Sequence, residues 1–173
     1  MSSRRPGEGR YAQLEHEQRW LLKELPSGLT NERVIVDHYW IGTTLRLRVV
    51  QSDDAIVYKL GQKVRLNDDD PERVVITNIY LSEAEFRVLS VTPAAIVSKS
   101  RWDATFNGER FAVDEFKGRH SGLLLAEVEL RHDELRVSGP ENAVAEVTNL
   151  NEYSGGWLAA ATETDLRQLL ERG

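Results

Sequence analysis

Acidic and basic residues recur at every second position in several short stretches of this chain. Glu15, Glu17 and Arg19 form one row, and Arg46 and Arg48 form another, with Leu45, Leu47 and Val49 in the alternate positions. Lys59 and Lys63 share a phase with Val57 and Gly61, and Lys99 and Arg101 form a further row. Glu127 and Glu129 alternate with Leu124, Ala126, Val128 and Leu130. In an extended strand, residues i and i+2 point the same way about 6.6 Å apart, so each row is a line of charge on one side of a strand. A solvated sheet face usually mixes signs, because like charges side by side repel. Here the signs segregate. Paired carboxylates are oxygen donors for hard divalent cations such as Mg²⁺ or Mn²⁺, and clustered Arg and Lys match phosphate oxygens. A metal–polyphosphate complex satisfies both sets at once.

The elements that must carry these rows are short strands. Alternating patterns predict strands at 13–22, 33–41, 44–50, 56–61, 74–81, 95–102, 110–116, 123–130 and 145–147, broken by turn residues at Ser52-Asp53-Asp54, Asn67 to Pro71 and Asn107-Gly108. The carboxylate pairs fall on the first and eighth of these strands, and the cations on the third, fourth and sixth. Asn107-Gly108 suits a two-residue hairpin whose central residues take positive φ. Ser82 and Glu85 form a capping box that opens a helix ending near Thr92-Pro93. Thr162 to Asp165 repeats the cue for a C-terminal helix through Leu170, and a short helix is expected around Gly155 to Ala161. Eight or nine strands and two or three helices in this order predict an α+β, mostly β chain: an antiparallel closed β-barrel with a few outer helices.

A chain of 173 residues is one domain's worth, with residues 1–9 reading as a flexible leader and 10–173 as a single domain. The absence of cysteine excludes thiol catalysis and Cys-ligated zinc. It also fits a reducing, cytoplasmic setting. No apolar run reaches the roughly 20 residues of a membrane span. A net charge of −6 argues against broad contact with nucleic acid but not against a local basic site for a small polyanion.

In order along the chain, Glu15-His16-Glu17-Gln18-Arg19-Trp20-Leu21-Leu22, Leu45-Arg46-Leu47-Arg48, Tyr58-Lys59-Leu60, Ser98-Lys99-Ser100-Arg101, Val113 to Gly118, Gly122 to Glu129 and Glu146-Val147-Thr148 resemble the CYTH domain, the family of triphosphate tunnel metalloenzymes. The resemblance runs from Leu14 to Leu158. It implies an eight-stranded tunnel open at both ends that binds a triphosphate with a divalent ion, Mg²⁺ or Mn²⁺. By position it makes Glu15, Glu17, Glu127 and Glu129 metal-site carboxylates and, with Arg19, the catalytic set. It makes Arg19, Arg46, Arg48, Lys59, Lys63, Lys99 and Arg101 the phosphate grip, and Asp114 and Glu146 acids on the metal side. Two departures stand out. Arginine replaces the family's lysine at Arg19, which keeps the charge but gives up a titratable amine. The Glu-x-Glu pair that many members carry before the first helix is replaced by Thr77-Asn78 within Val75 to Leu81.

The expected activity is metal-dependent hydrolysis of inorganic triphosphate or a related compound. A class IV type adenylate cyclase, a thiamine triphosphatase and a non-catalytic polyphosphate or nucleotide sensor are the alternatives. The expected partner is a small triphosphate or nucleotide, with no nucleic acid and no membrane, and a homodimer remains open. His16, His38, His120 and His132 show no ligand or triad spacing and read as surface or edge residues; the tryptophans read as packing. The Asp68-Asp69-Asp70 run reads as a solvated loop.

Overall fold

The alternation of the sequence is realised as strands in the computed structural model of the chain, which describes residues 6–65, 73–130 and 136–171. In chain order these are β1 (Gln13–Leu22), β2 (Thr30–Tyr39), β3 (Leu45–Gln51), β4 (Ile56–Arg65), β5 (Arg73–Leu81), α1 (Glu83–Ser90), β6 (Ala95–Phe106), β7 (Glu109–Phe116), β8 (Leu124–Glu129), β9 (Ala143–Glu146), α2 (Gly155–Ala160) and α3 (Glu163–Leu170). Neighbours pair antiparallel in the order β5-β4-β3-β2-β6-β7-β8-β1, and β1 returns to β5, so eight strands close on themselves. Closure leaves no strand edge among the eight to template another chain. β1 divides its second partner: Gln13 to His16 pair with β5, and Trp20 to Leu22 pair with β9, the added ninth strand.

Several strands run further than the alternation predicts. β4 continues four residues past Gly61. A Cβ at that glycine would stand 3.1 Å from Asn78 Oδ1 and 3.7 Å from Arg46 Nη2, so the missing side chain leaves room chiefly for Asn78. β6 and β7 extend to the tip of their hairpin, where Asn107 and Gly108 take φ of 52° and 85°, as the turn chemistry requires. The Ser82–Glu85 capping box forms at α1, and Thr162 with Asp165 forms a second at α3.

Apolar packing lies in two places. On the outer face, Trp20, Phe111, Val113, Ala126 and Val128 are buried, with Trp20 edge-on to Phe111 at 5.5 Å between ring centroids. On the inner side, Leu21, Val97, Phe116 and Leu125 pack against Tyr153, Leu158, Leu166 and Leu169 of the C-terminal segment. Each such side chain contributes about 1.5–3 kcal/mol when fully buried. This end of the barrel is therefore partly covered, where the resemblance implies an open mouth. α1 rests on the outside through Phe86, 4.7 Å from the Tyr58 ring and 5.9 Å from His38.

His120 is not the surface residue expected: it is 1% exposed, with Nε2 2.9 Å from the Leu158 carbonyl, a fixed partner that makes its burial tolerable. His132 and the run Asp68 to Asp70 lie outside the described residues. In the segment expected to be a flexible leader, the Gly7 N–H donates to Gln62 Oε1 at 3.3 Å. No helix among the described residues is long and apolar enough to cross a membrane.

Candidate functional site

Directly paired residues on antiparallel strands point to the same side of the sheet, so register decides what faces inward. Arg19 pairs with Glu127, Arg48 with Asp37 and with Lys59, Arg46 with Tyr39 and Gly61, and Arg101 with Asp114. All these residues therefore face the barrel interior. A cavity of about 290 Å³ occupies it, lined by Glu15, Glu17, Asp37 and Glu127 and by Arg19, Arg46, Arg48, Lys63, Arg65, Lys99 and Arg101. Seven cations against four acids leave this interior net positive in a chain of net charge −6.

The charges interlock. Arg48 donates from Nε and Nη2 to the two oxygens of Asp37 at 2.6 and 2.7 Å, and Arg46 Nε lies 3.7 Å from the same carboxylate. Arg101 makes the same fork to Asp114, at 2.6 Å on both sides, and reaches Glu127 at 2.5 Å. Lys99 donates to Asp114 at 2.5 Å. Arg19 joins Glu127 at 2.8 Å and Glu17 at 3.4 Å, and donates to the Tyr153 carbonyl at 3.3 Å. Lys63 stands 3.2 Å from Glu15 and 3.7 Å from Glu17.

Burial and pairing set the protonation states. Burial alone would raise the Asp37 carboxyl, but Arg48 and Arg46 outweigh it and hold it at about 2. Glu127 is likewise held well below the usual range against its burial, by Arg19, Arg101 and Lys99. The Lys99 amine moves down, because burial and the neighbouring Arg101 together exceed the pull of Asp114 and Glu127. The guanidiniums of Arg19 and Arg101 are raised despite burial, by the carboxylates around them. Asp37 and Glu127 therefore remain ionised at neutral pH.

Of the residues singled out by sequence, Glu15, Glu17, Arg19, Arg46, Arg48, Lys63, Lys99, Arg101 and Glu127 meet at the cavity. Four stand apart from its lining. Asp114 is 0% exposed, behind Lys99 and Arg101. Glu129 shares the inward phase of Glu127 but is exposed at the end of β8. Lys59 faces inward further along, its ammonium 5.1 Å over the Tyr80 ring. Glu146 pairs with Trp20, in the outward phase of β1, and accepts from Gln18, Thr148 and Arg136.

Three contributors escaped the sequence reading. Asp37 is a lone acid between Ile35 and Tyr39, with no partner at i+2 to reveal a row. Arg65 lies past Gly61, beyond the predicted end of its strand; it donates to Asn151 at 2.5 Å. The stretch from Leu150 to Gly156 lines one end of the cavity, and Gly155 approaches so closely that a Cβ would meet the Tyr39 hydroxyl at 2.1 Å. None of its residues forms a charged row.

A divalent ion would find suitable donors in kind: the partly exposed carboxylates of Glu15 and Glu17 share one face and line the cavity, with the Lys63 ammonium now balancing them. Among the described residues no three acidic or histidine side chains converge on one point as a ready-made ligand set. Glu127 and Asp114 are taken up by arginine and lysine.

No family model and no curated protein matches the sequence. Solved structures do match the fold. The chain resembles the inorganic triphosphatase NE1496 at 23% identity and a TM-score of 0.60, over 86% of this chain and 95% of that one. It resembles the PH1819 protein of Pyrococcus horikoshii OT3 at 15% identity and a TM-score of 0.50, over 91% and 89%. A conserved protein of Pyrococcus furiosus matches at 17% identity and a TM-score of 0.50, over 69% and 80%. At these identities the likeness establishes a shared fold, the closed antiparallel barrel.

Proposed function

We propose that the chain hydrolyses inorganic triphosphate, or a closely related triphosphate compound, with Mg²⁺ or Mn²⁺. The observation that carries this reading is the net positive, walled cavity in an acidic protein: seven cations converge there on a volume of about 290 Å³. Phosphoryl transfer needs little covalent chemistry from the protein; it needs the phosphate oxygens neutralised and the chain held in line. Arg46 and Arg48 from β3, Lys63 from β4, and Lys99 and Arg101 from β6 would grip the phosphates. Asp37 and Asp114 hold the guanidinium planes of Arg48 and Arg101 in place before any ligand arrives, so their field is already oriented. Glu15 and Glu17 are the residues that would hold the ion, which when bound supplies charge neutralisation at the phosphate oxygens. The likeness to a solved inorganic triphosphatase supports the same reading.

A second reading, a polyphosphate-binding module without turnover, is favoured by one observation: Asn78 faces inward opposite Gly61, where many of the proteins that the sequence resembles carry an acid. Incubation of the chain with tripolyphosphate and Mg²⁺ or Mn²⁺ separates the two. Released phosphate is expected; binding without product would establish the module. Cyclic AMP made from ATP under the same conditions would replace both with a cyclase.

A further inference from the structure

We infer that Asp37 is a positioning residue, the buried counter-ion that aims Arg48 at the ligand; this rests on the cavity being a polyphosphate site. Asp37 belongs to none of the charged rows and is 2% exposed. Register sets it opposite Arg48 of β3 on one side and Val97 of β6 on the other. Its two oxygens take Arg48 Nε and Nη2 at 2.6 and 2.7 Å, which fixes the guanidinium plane and leaves Nη1 as the donor for a ligand. The same carboxylate lies 3.7 Å from Arg46 Nε, an ion pair beyond hydrogen-bond reach, so the restraint falls on Arg48. Its carboxyl is held at about 2 by these arginines against its burial, so the restraint persists through any neutral assay.

Two effects of this carboxylate oppose each other. As a negative charge it weakens attraction for an anion. As an anchor it keeps the long Arg48 side chain from sampling rotamers that binding would have to suppress. If charge dominates, Asp37→Asn binds polyphosphate more tightly; if orientation dominates, it binds less tightly. The two-point fork, which amide replacement cannot reproduce, favours orientation.

The test uses the full chain as wild type, Asp37→Asn, Arg48→Ala and the double variant. Each is titrated with tripolyphosphate by calorimetry and assayed for phosphate release with Mg²⁺. Asp37→Asn is expected to raise both Kd and KM by about tenfold or more, the worth of one charge-assisted contact. On the Arg48→Ala background the same change is expected to leave Kd equal or lower, because the group it aims is gone. Unchanged or tighter binding by Asp37→Asn in the wild-type background overturns the inference, as does an equal loss on both backgrounds. Should Asp37→Asn lose its fold by circular dichroism, the comparison of Arg48→Ala with the double variant decides: equal or tighter binding by the double variant supports positioning, and weaker binding overturns it. A wild-type chain that neither binds nor cleaves tripolyphosphate defeats the functional reading itself, and this inference with it.

Discussion

The Lys63 ammonium lies between Glu15 and Glu17, 3.2 Å from one carboxylate and 3.7 Å from the other, so β4 supplies β1 with an internal cation. A divalent ion entering between these glutamates competes with that lysine. Lys63→Met is therefore expected to bind Mn²⁺ about twofold to fivefold more tightly in the absence of substrate, given the modest worth of a partly exposed pair. Electron paramagnetic resonance of free Mn²⁺ measures this directly; weaker binding would show that Glu15 and Glu17 are not the acceptors.

Arg46 and Arg48 look equivalent in the sequence but are engaged differently. Arg48→Ala leaves Asp37 buried without its main partner, a change that costs about 3–5 kcal/mol. Arg46, only loosely paired at 3.7 Å, is freer to bind phosphate. Arg46→Ala is expected to raise KM for tripolyphosphate about tenfold or more while its melting temperature stays near that of the wild type. Thermal melts beside steady-state kinetics for the two variants check this split.

Glu127 and Glu129 separate in the same way. Glu127 ties Arg19 to Arg101 inside the cavity, whereas Glu129 is exposed beyond it. Glu127→Gln is expected to abolish turnover and lower stability by about 3–5 kcal/mol, since two guanidiniums lose their shared acceptor. Glu129→Gln, which the motif alone would make equally damaging, is expected to keep the fold and the larger share of activity. Equal activity losses in phosphate-release assays would return Glu129 to the site.

His120 predicts a pH dependence of stability. Burial lowers its pKa from the ordinary 6.5, aided by Arg119 and opposed by the bond to Leu158. The unfolded chain therefore binds the proton more readily than the folded one. The resulting stabilisation is fully present above about 6.5 and is lost as pH falls through that value toward the lower folded pKa, by at most about 1.4 kcal/mol per pH unit. The wild-type melting temperature should drop more between pH 7.5 and 5.5 than that of His120→Gln, which keeps a donor but does not titrate. Parallel curves would remove His120 from the account.

Gly155 allows the C-terminal segment to sit against Tyr39. A methyl group there would meet the Tyr39 hydroxyl at 2.1 Å, so Gly155→Ala must displace one or the other. The expected cost is about 1–3 kcal/mol, partly recovered in Gly155→Ala/Tyr39→Phe. Chemical denaturation of the two variants gives the comparison.

The barrel and most of its charged interior are legible in the residues alone, because a period of two is a local property: Glu15-Glu17-Arg19, Arg46-Arg48, Lys99-Arg101 and Glu127 reveal their shared faces without reference to any neighbour. The capping boxes and the Asn107-Gly108 hairpin are local in the same sense. What the tertiary structure decided is which of these charges meet, since cross-strand register depends on residues far apart in the chain. Register set Asp37 against Arg48 and turned Glu146 outward beside Trp20, while Glu129, although opposite Glu17, lies exposed at the end of β8. It also brought the stretch from Leu150 to Gly156, which carries no charged row, over one end of the cavity, a placement made by apolar packing of Tyr153 and Leu158 on Val97 and Phe116. Alternation tells a side chain which face it is on; only the closing of the sheet tells it what it will touch.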